Sequence, residues 1–267
     1  MSLRVTILGC GSSGGVPRVA VGWGKCDPAE PKNRRRRCAI LVEQLAPDGG
    51  VTSVLIDAGP DLRDQLLSAN VDHLDGVLLT HDHADHTHGL DDLRPLVIHM
   101  RRRMDVWSDA GTAEVLFSRF GYAYKSPPGS DYPPILVDRR IEPGRTVAVE
   151  GQGGALAALP IEVMHGRTYR ALGFRFGALA YTPDVNAIPP ESEAALENLD
   201  VWIIDALRDS PHPTHFSLDE ALAAVECFRP RRAILTNLHT DMDYATLKAR
   251  LPPEIDAAYD GMTVETA

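Results

Sequence analysis

Gly76-Val-Leu-Leu-Thr80 runs without interruption into His81-Asp82-His83-Ala84-Asp85-His86. The first stretch is an apolar run of strand length. The second carries His81, His83, Asp85 and His86, all side chains able to ligate a metal. Neutral imidazoles and carboxylates are ordinary ligands for zinc and similar divalent ions. A loop leaving a strand end can turn alternate side chains toward one point, so His81 and His83 can face one ion while Asp85 and His86 face a second. The bland alternative is a solvated loop of histidines, and it gives no reason for the apolar strand that delivers these residues.

Outward from this stretch, short β-branched runs alternate with helical patterns, as in a layered α/β domain. The runs Arg4–Leu8, Ala39–Glu43, Val54–Asp57, Ile161–Met164, Gly173–Phe176, Ala178–Tyr181, Val201–Asp205 and Ala233–Thr236 read as further strands. Helices are expected over Pro60–Ala69, Thr112–Gly121, Pro190–Asn198, Ser217–Phe228 and Tyr244–Leu251. The clearest helix start is Ser217-Leu-Asp-Glu220, where the serine hydroxyl and the glutamate can each satisfy an orphan backbone amide. Tyr124–Pro134 is proline-rich and reads as a surface loop, and Pro143–Gly154 as turns around a short strand. No repeat or linker interrupts the pattern, so residues 1–267 read as one domain.

The chain of 267 residues is 44% hydrophobic and 24% charged, which describes a globular protein with a full core. No apolar run approaches the ~20 residues of a membrane-spanning helix. The opening Met1–Gly9 lacks a basic segment followed by a long apolar stretch, so a cytoplasmic location is expected. Cys10, Cys26, Cys38 and Cys227 show no repeated spacing and suit a reducing compartment without disulfides. A net charge of −10 repels polyanions at long range and argues against a large nucleic-acid partner. The basic runs Arg34–Arg37 and Arg101–Arg103 are read as solvated faces.

The segment from His81 to His86 resembles the signature of the metallo-β-lactamase superfamily, which implies an α/β fold, a four-layer αββα sandwich. Gly9-Cys-Gly-Ser-Ser-Gly-Gly-Val-Pro17, the run Arg34–Cys38, Leu55-Ile-Asp-Ala-Gly59, Leu235-Thr-Asn-Leu-His239 and Tyr259-Asp-Gly-Met262 narrow the resemblance to the PhnP-type cyclic-phosphate phosphodiesterases and their ribonuclease Z relatives. That resemblance implies a centre of two divalent ions, Zn²⁺ with Mn²⁺ as the alternative. His81, His83 and His165 would serve one ion and Asp85, His86 and His239 the other, with Asp184 bridging both. Two such cations ~3.5–4 Å apart lower the pKa of a shared water into the neutral range. By the same resemblance Asp57 orients a ligand histidine from behind, and His215 protonates the leaving oxygen, with Asp85 counted as catalytic as well as ligating.

This sequence departs from the family pattern at two places. A cysteine cluster that holds a separate structural zinc in the PhnP type is reduced here to Cys26, so no third metal is expected. The family's last metal histidine follows the strand threonine directly. Asn237 stands there in this chain and His239 two positions later, so the last ligand is His239 or, alternatively, Asn237. The resemblance implies hydrolysis of a small phosphodiester or cyclic nucleotide phosphate. The alternatives are attack on a carboxyl centre such as a thioester or lactam, and tRNA processing, against which the charge and length count. A small phosphodiester is therefore the expected partner, with no membrane involved and a homodimer left open.

Overall fold

The structure is a computed structural model and describes residues 2–266. One sheet contains β1 (Ser2–Gly9), β2 (Ala39–Leu45), β3 (Val51–Ile56), β4 (Gly76–Leu78), β5 (Met104–Ser108), β6 (Leu136–Arg140) and, at its edge beside β1, the late strand β14 (Thr263–Thr266). The second contains β7 (Val147–Val149), β8 (Leu156–Met164), β9 (Arg170–Phe176), β10 (Leu179–Thr182), β11 (Val201–Asp205), β12 (Arg232–Thr236) and β13 (Ile255–Ala257), in sequential order across the sheet. Each sheet is mixed. β3 to β6 are parallel in the first and β10 to β13 in the second, and the remaining pairs are antiparallel.

Strand side chains alternate between faces, and this alternation builds the layers. Ile7, Ile40, Val54 and Ile56 from the first sheet meet Phe174, Tyr181, Ile203 and Ile234 from the second in one core between the sheets. The intervening residues Leu8, Leu41 and Leu55 point outward into a second core under α1 (Leu62–Ser68), α3 (Arg94–Met100) and α4 (Ala110–Tyr124). Trp202, Ile204 and Leu235 do the same on the other side, under α6 (Leu218–Phe228) and α7 (Tyr244–Arg250). The result is a helix–sheet–sheet–helix sandwich, the metallo-β-lactamase fold. Each fully buried Ile or Leu in these layers contributes about 1.5–3 kcal/mol. The short helices α2 (Ala84–Thr87) and α5 (Pro190–Glu193) complete the set.

Ser217 caps α6 with both halves of the expected box, its hydroxyl accepting from the Glu220 amide and the Glu220 carboxylate accepting from the Ser217 amide. The expected strands and helices are present with shifted ends. β5, β6, β13, β14, α2 and α3 were not anticipated, because each is short and flanked by charged or turn residues. The run Arg34–Arg37 is less solvated than expected, while Arg101–Arg103 is exposed as read. Arg35 is buried, Arg36 pairs with Asp260 at 3.0 Å and Arg37 with Asp61 at 3.2 Å.

The parallel strands all deliver their C-terminal ends to the same edge of the sandwich, where ligands of α/β sheets collect. The sheets are joined there by the Leu172 amide, which donates to the Thr80 carbonyl at 2.8 Å.

Candidate metal centre

Thr80 and Asp57 set the first side chains of the site. Asp57 follows β3 with φ of 67°, is fully buried, and accepts from both the amide and the hydroxyl of Thr80. Its other oxygen lies 2.7 Å from His86 Nδ1. The Thr80 hydroxyl, donating to Asp57, accepts from His81 Nδ1 at 2.9 Å. This relay fixes the Nδ1 protons of His81 and His86 and turns both Nε2 atoms toward the facing half of the site. Against its burial, Asp184, Asp57 and Asp85 hold His86 well above the ordinary histidine value, so a metal binding there would displace its Nε2 proton. Gly59 lets the two segments approach, since a Cβ there would fall 2.0 Å from the Asp85 carbonyl oxygen.

The second sheet supplies the facing half. Asp184 follows β10 and is nearly fully buried. His165 follows β8, its Nδ1 donating to the Thr214 carbonyl at 2.7 Å. His215 donates from Nδ1 to Asp205 at 2.7 Å. Thus the four rings of His81, His86, His165 and His215 are each anchored through Nδ1, and their Nε2 atoms lie 3.9, 3.2, 3.6 and 3.9 Å from the Asp184 carboxylate. Three donor groups result: His81 with His83 and His165, His81 with His86 and Asp184, and His165 with Asp184 and His215. His83 is exposed and stacks on Tyr169 with ring centroids 5.0 Å apart. Tyr169 is bonded in turn to Asp82. Asp85 lies 3.5 Å from His86 Nε2.

These residues fit a divalent cation. His81 Nε2 is buried with no hydrogen-bond partner, and an unpaired buried donor is costly unless something takes its lone pair. Among the described residues the ion-pair partners of Asp184 are all histidines, with no lysine or arginine to balance it. Burial would raise the Asp184 pKa, but His86, His81 and His215 outweigh it and hold the carboxyl well below its usual range. Burial, followed by the neighbouring His86, pushes His81 well below the ordinary histidine value, and burial also lowers His165. Both are therefore neutral at pH 7, as a metal ligand must be. The donor set of nitrogen and oxygen suits a divalent metal.

Asp205, which the sequence reading did not single out, holds His215. Burial raises Asp205 to about 7. Its charge then raises His215 to about 9 against the opposing effect of burial. An aspartate closing the buried strand Val201–Asp205 was the available signal. His88 stacks on Phe120, and His212 lies beside Thr214, both outside the donor groups.

His239 differs from the sequence expectation. It belongs to none of the donor groups: its Nε2 is 2.5 Å from Arg18 Nη1 and its Nδ1 3.2 Å from Asp241. Asn237, at the other candidate position, directs its amide to the Pro183 carbonyl at 2.9 Å and to Asp184 at 3.3 Å. The reason is backbone. Asn237 has φ of 62°, a left-handed conformation that asparagine tolerates, so the chain turns there and residues two apart no longer share a face.

The cavity over these residues measures about 310 Å³ and is walled by Ser12, Ser13, Arg18, Arg208, His212 and His239 as well as by His83, Asp85, His165, Asp184 and His215. A larger groove of about 960 Å³ lies across β1 to β3 and α1 and holds none of the donor groups.

A family model described as a beta-lactamase superfamily domain matches residues 52–237. The crystal structure of a new diphosphatase from the PhnP family superposes with a TM-score of 0.88 at 32% identity, covering 100% of this chain and 98% of that one. Human tRNase Z, short form, superposes at 0.63 with 16% identity over 98% of each chain, a likeness of fold alone. An octanoyltransferase of Porphyromonas gingivalis (strain ATCC BAA-308 / W83) is 32% identical over 265 residues, covering 97% of this chain and 51% of that protein. The chain thus spans about half the length of the curated relative it matches. With the family model matched across most of the chain and the donor groups assembled at the strand ends, this protein belongs to the beta-lactamase superfamily and has the metallo-β-lactamase fold, with side chains fit to hold divalent metal.

Proposed function

We propose that this protein is a metal-dependent hydrolase that acts on small or cyclic phosphodiesters with two divalent ions, Zn²⁺ or Mn²⁺, held by His81, His83, His165, Asp85, His86 and Asp184. The observation that carries the reading is the convergence of four Nδ1-anchored histidines on one buried carboxylate, with the His215–Asp205 pair among them in a narrow cavity. Bound divalent ions supply positive charge to phosphoryl oxygens and lower the pKa of a water to near neutrality. The protein's own part is positional. Asp57 and Thr80 fix His86 and His81, the Thr214 carbonyl fixes His165, and the walls limit access to a small substrate.

His215 is the proton donor in this reading. Asp205 takes its Nδ1–H, so the proton available to a departing alkoxide sits on Nε2, which faces the cavity. With its pKa raised to about 9, the imidazole keeps that proton at pH 7. Similarity to a PhnP-family diphosphatase supports phosphorus as the attacked centre.

Attack on an acyl centre is the second reading, favoured by the identity to the octanoyltransferase. Because the chain covers 51% of that protein, the name need not describe the matching half. The test is metal analysis of the purified protein, followed by turnover of a bis(nitrophenyl) phosphate, 2′,3′-cyclic nucleotides and an acyl thioester by the loaded enzyme. Metal-dependent cleavage of the phosphodiesters supports the reading. Cleavage of the thioester alone overturns it.

A further inference from the structure

Two guanidiniums enter the cavity that the proposed reaction leaves without a role. Arg18 donates through Nη1 to His239 Nε2 at 2.5 Å. Arg208 donates from Nε to the Ser210 carbonyl at 3.2 Å and from Nη2 to the Pro211 carbonyl at 3.0 Å. Neither pairs with a carboxylate among the described residues, and the adjacent Asp209 is taken by Arg250 at 2.9 Å. Other arginines without a carboxylate, Arg35 and Arg175 among them, are bonded to amide or backbone oxygens elsewhere, whereas Arg18 and Arg208 wall the cavity of the donor groups.

Their placement is built. Arg18 and Gly22 exchange both backbone hydrogen bonds, at 2.9 and 2.8 Å, closing a small hairpin. Gly14 makes room for the guanidinium, since a Cβ there would lie 2.2 Å from Arg18 Nε. Asp241 lies 3.2 Å from His239 Nδ1, which can therefore carry the ring proton and leave Nε2 to accept from Arg18. What the sequence suggests as a metal ligand acts in the fold as a strut for an arginine. The carboxylates of the cavity, Asp85 and Asp184, belong to the donor side.

From this geometry we infer that Arg18 and Arg208 form an anion subsite beside the metal centre, which holds the second phosphoryl group of a P–O–P-linked diphosphate diester. The inference rests on the phosphorus reading above and names its substrate class. Planar guanidiniums match phosphoryl oxygens in charge and geometry. In the reaction, the oxygen of water bonds to the attacked phosphorus and the bridging P–O bond breaks. The bridging oxygen leaves with the second phosphoryl group, and the protons of water pass to the two phosphate products or to solvent. The charge that grows on the departing phosphate falls on the arginines, so this leaving group depends less on a proton from His215 than an alkoxide does.

The test uses the metal-loaded protein and two uncleavable probes, a methylene-bridged diphosphate diester and dimethyl phosphate, with affinities measured by calorimetry. We expect the bridged probe to bind about tenfold or more tightly than the singly charged dimethyl phosphate, and Arg18→Gln and Arg208→Gln each to remove most of that preference with metal content unchanged. Turnover gives a second readout: in both variants the ratio of kcat/KM for a diphosphate diester to that for a bis(nitrophenyl) phosphate falls, mainly through KM. No preference in the parent protein, or a preference that survives both substitutions, overturns the subsite. A protein that binds the bridged probe selectively but cleaves no phosphorus substrate supports the subsite while refuting the reaction proposed above.

Discussion

Thr80-His81-Asp82-His83 and Thr236-Asn237-Leu238-His239 share a spacing and a setting: each leaves a buried strand at the same edge of the sandwich. They do opposite things. In the first turn His81 is tied to the Thr80 hydroxyl and His83 stands at the start of α2, and both rings reach one donor group. In the second, Asn237 adopts a left-handed backbone and Leu238 is clamped to the glycine-rich loop, its amide donating to the Cys10 carbonyl at 2.8 Å. His239 therefore swings to Arg18. A histidine three residues beyond a strand threonine is a metal candidate only while the intervening backbone does not turn it away.

The largest effect is expected where both halves of the site meet. Asp184→Ala removes the carboxylate on which four imidazoles converge, and should cost metal and about 10³-fold or more in turnover. Elemental analysis beside activity measures both, and retention of full metal content would break the picture of a shared carboxylate. Next comes the support of the first turn. Asp57→Asn should weaken metal binding roughly 10–100-fold, because it weakens the acceptor for His86 Nδ1. Competition with a chromophoric chelator reads this directly.

The comparison between the two turns is sharpest in a pair of variants. Asn237→Ala takes a hydrogen bond from Asp184 and should lower metal affinity, whereas His239→Ala should leave metal content as it is and release Arg18. If His239→Ala sheds metal and Asn237→Ala does not, the turns are equivalent after all.

The smallest expected effect concerns the loop that carries Arg18 and the turn after His239. Asp243 links them by accepting from the Asp27 amide at 3.1 Å and from Asn33 Nδ2 at 2.7 Å, and it also caps α7 through Thr246. Burial alone would raise its pKa, but these hydrogen bonds hold it at about 2. A carboxyl depressed in the folded state stabilises above its unfolded value of ~3.9 and loses that contribution as pH falls toward the folded one. The parent protein should therefore lose slightly more stability than Asp243→Asn between about pH 4 and pH 2, measured by denaturant titration.

These contrasts also explain what was legible in the residues. The first turn could be read because its donors are contiguous, and His165 and Asp184 through the family resemblance, to which their place at the ends of expected strands added. Position 237 could not be read, since its consequence lies in one backbone angle that tertiary contacts select. Arg35 was equally hidden. A run of four arginines looks solvated until Asn33 Oδ1, Cys26 Sγ and the His239 carbonyl close around the second of them at 3.2, 3.8 and 3.5 Å. Asp205 was visible only as the last residue of a strand, and its use depends on a histidine ten positions on.

The pairing of β1 with both β2 and β14 has a consequence for the order in which the molecule can be completed. On a ribosome β1 emerges first and finds β2 soon after, but its other edge waits until residues 263–266 have been made. Until then that edge, with Val5 on it, is open to addition of a strand from another chain. The same late segment brings Asp260 to the Cys10 amide at 3.2 Å and to the Arg36 amide at 2.8 Å. The glycine-rich wall of the cavity thus gains its final support at the moment the sheet closes, which makes a partly synthesised chain both adhesive and without a finished site.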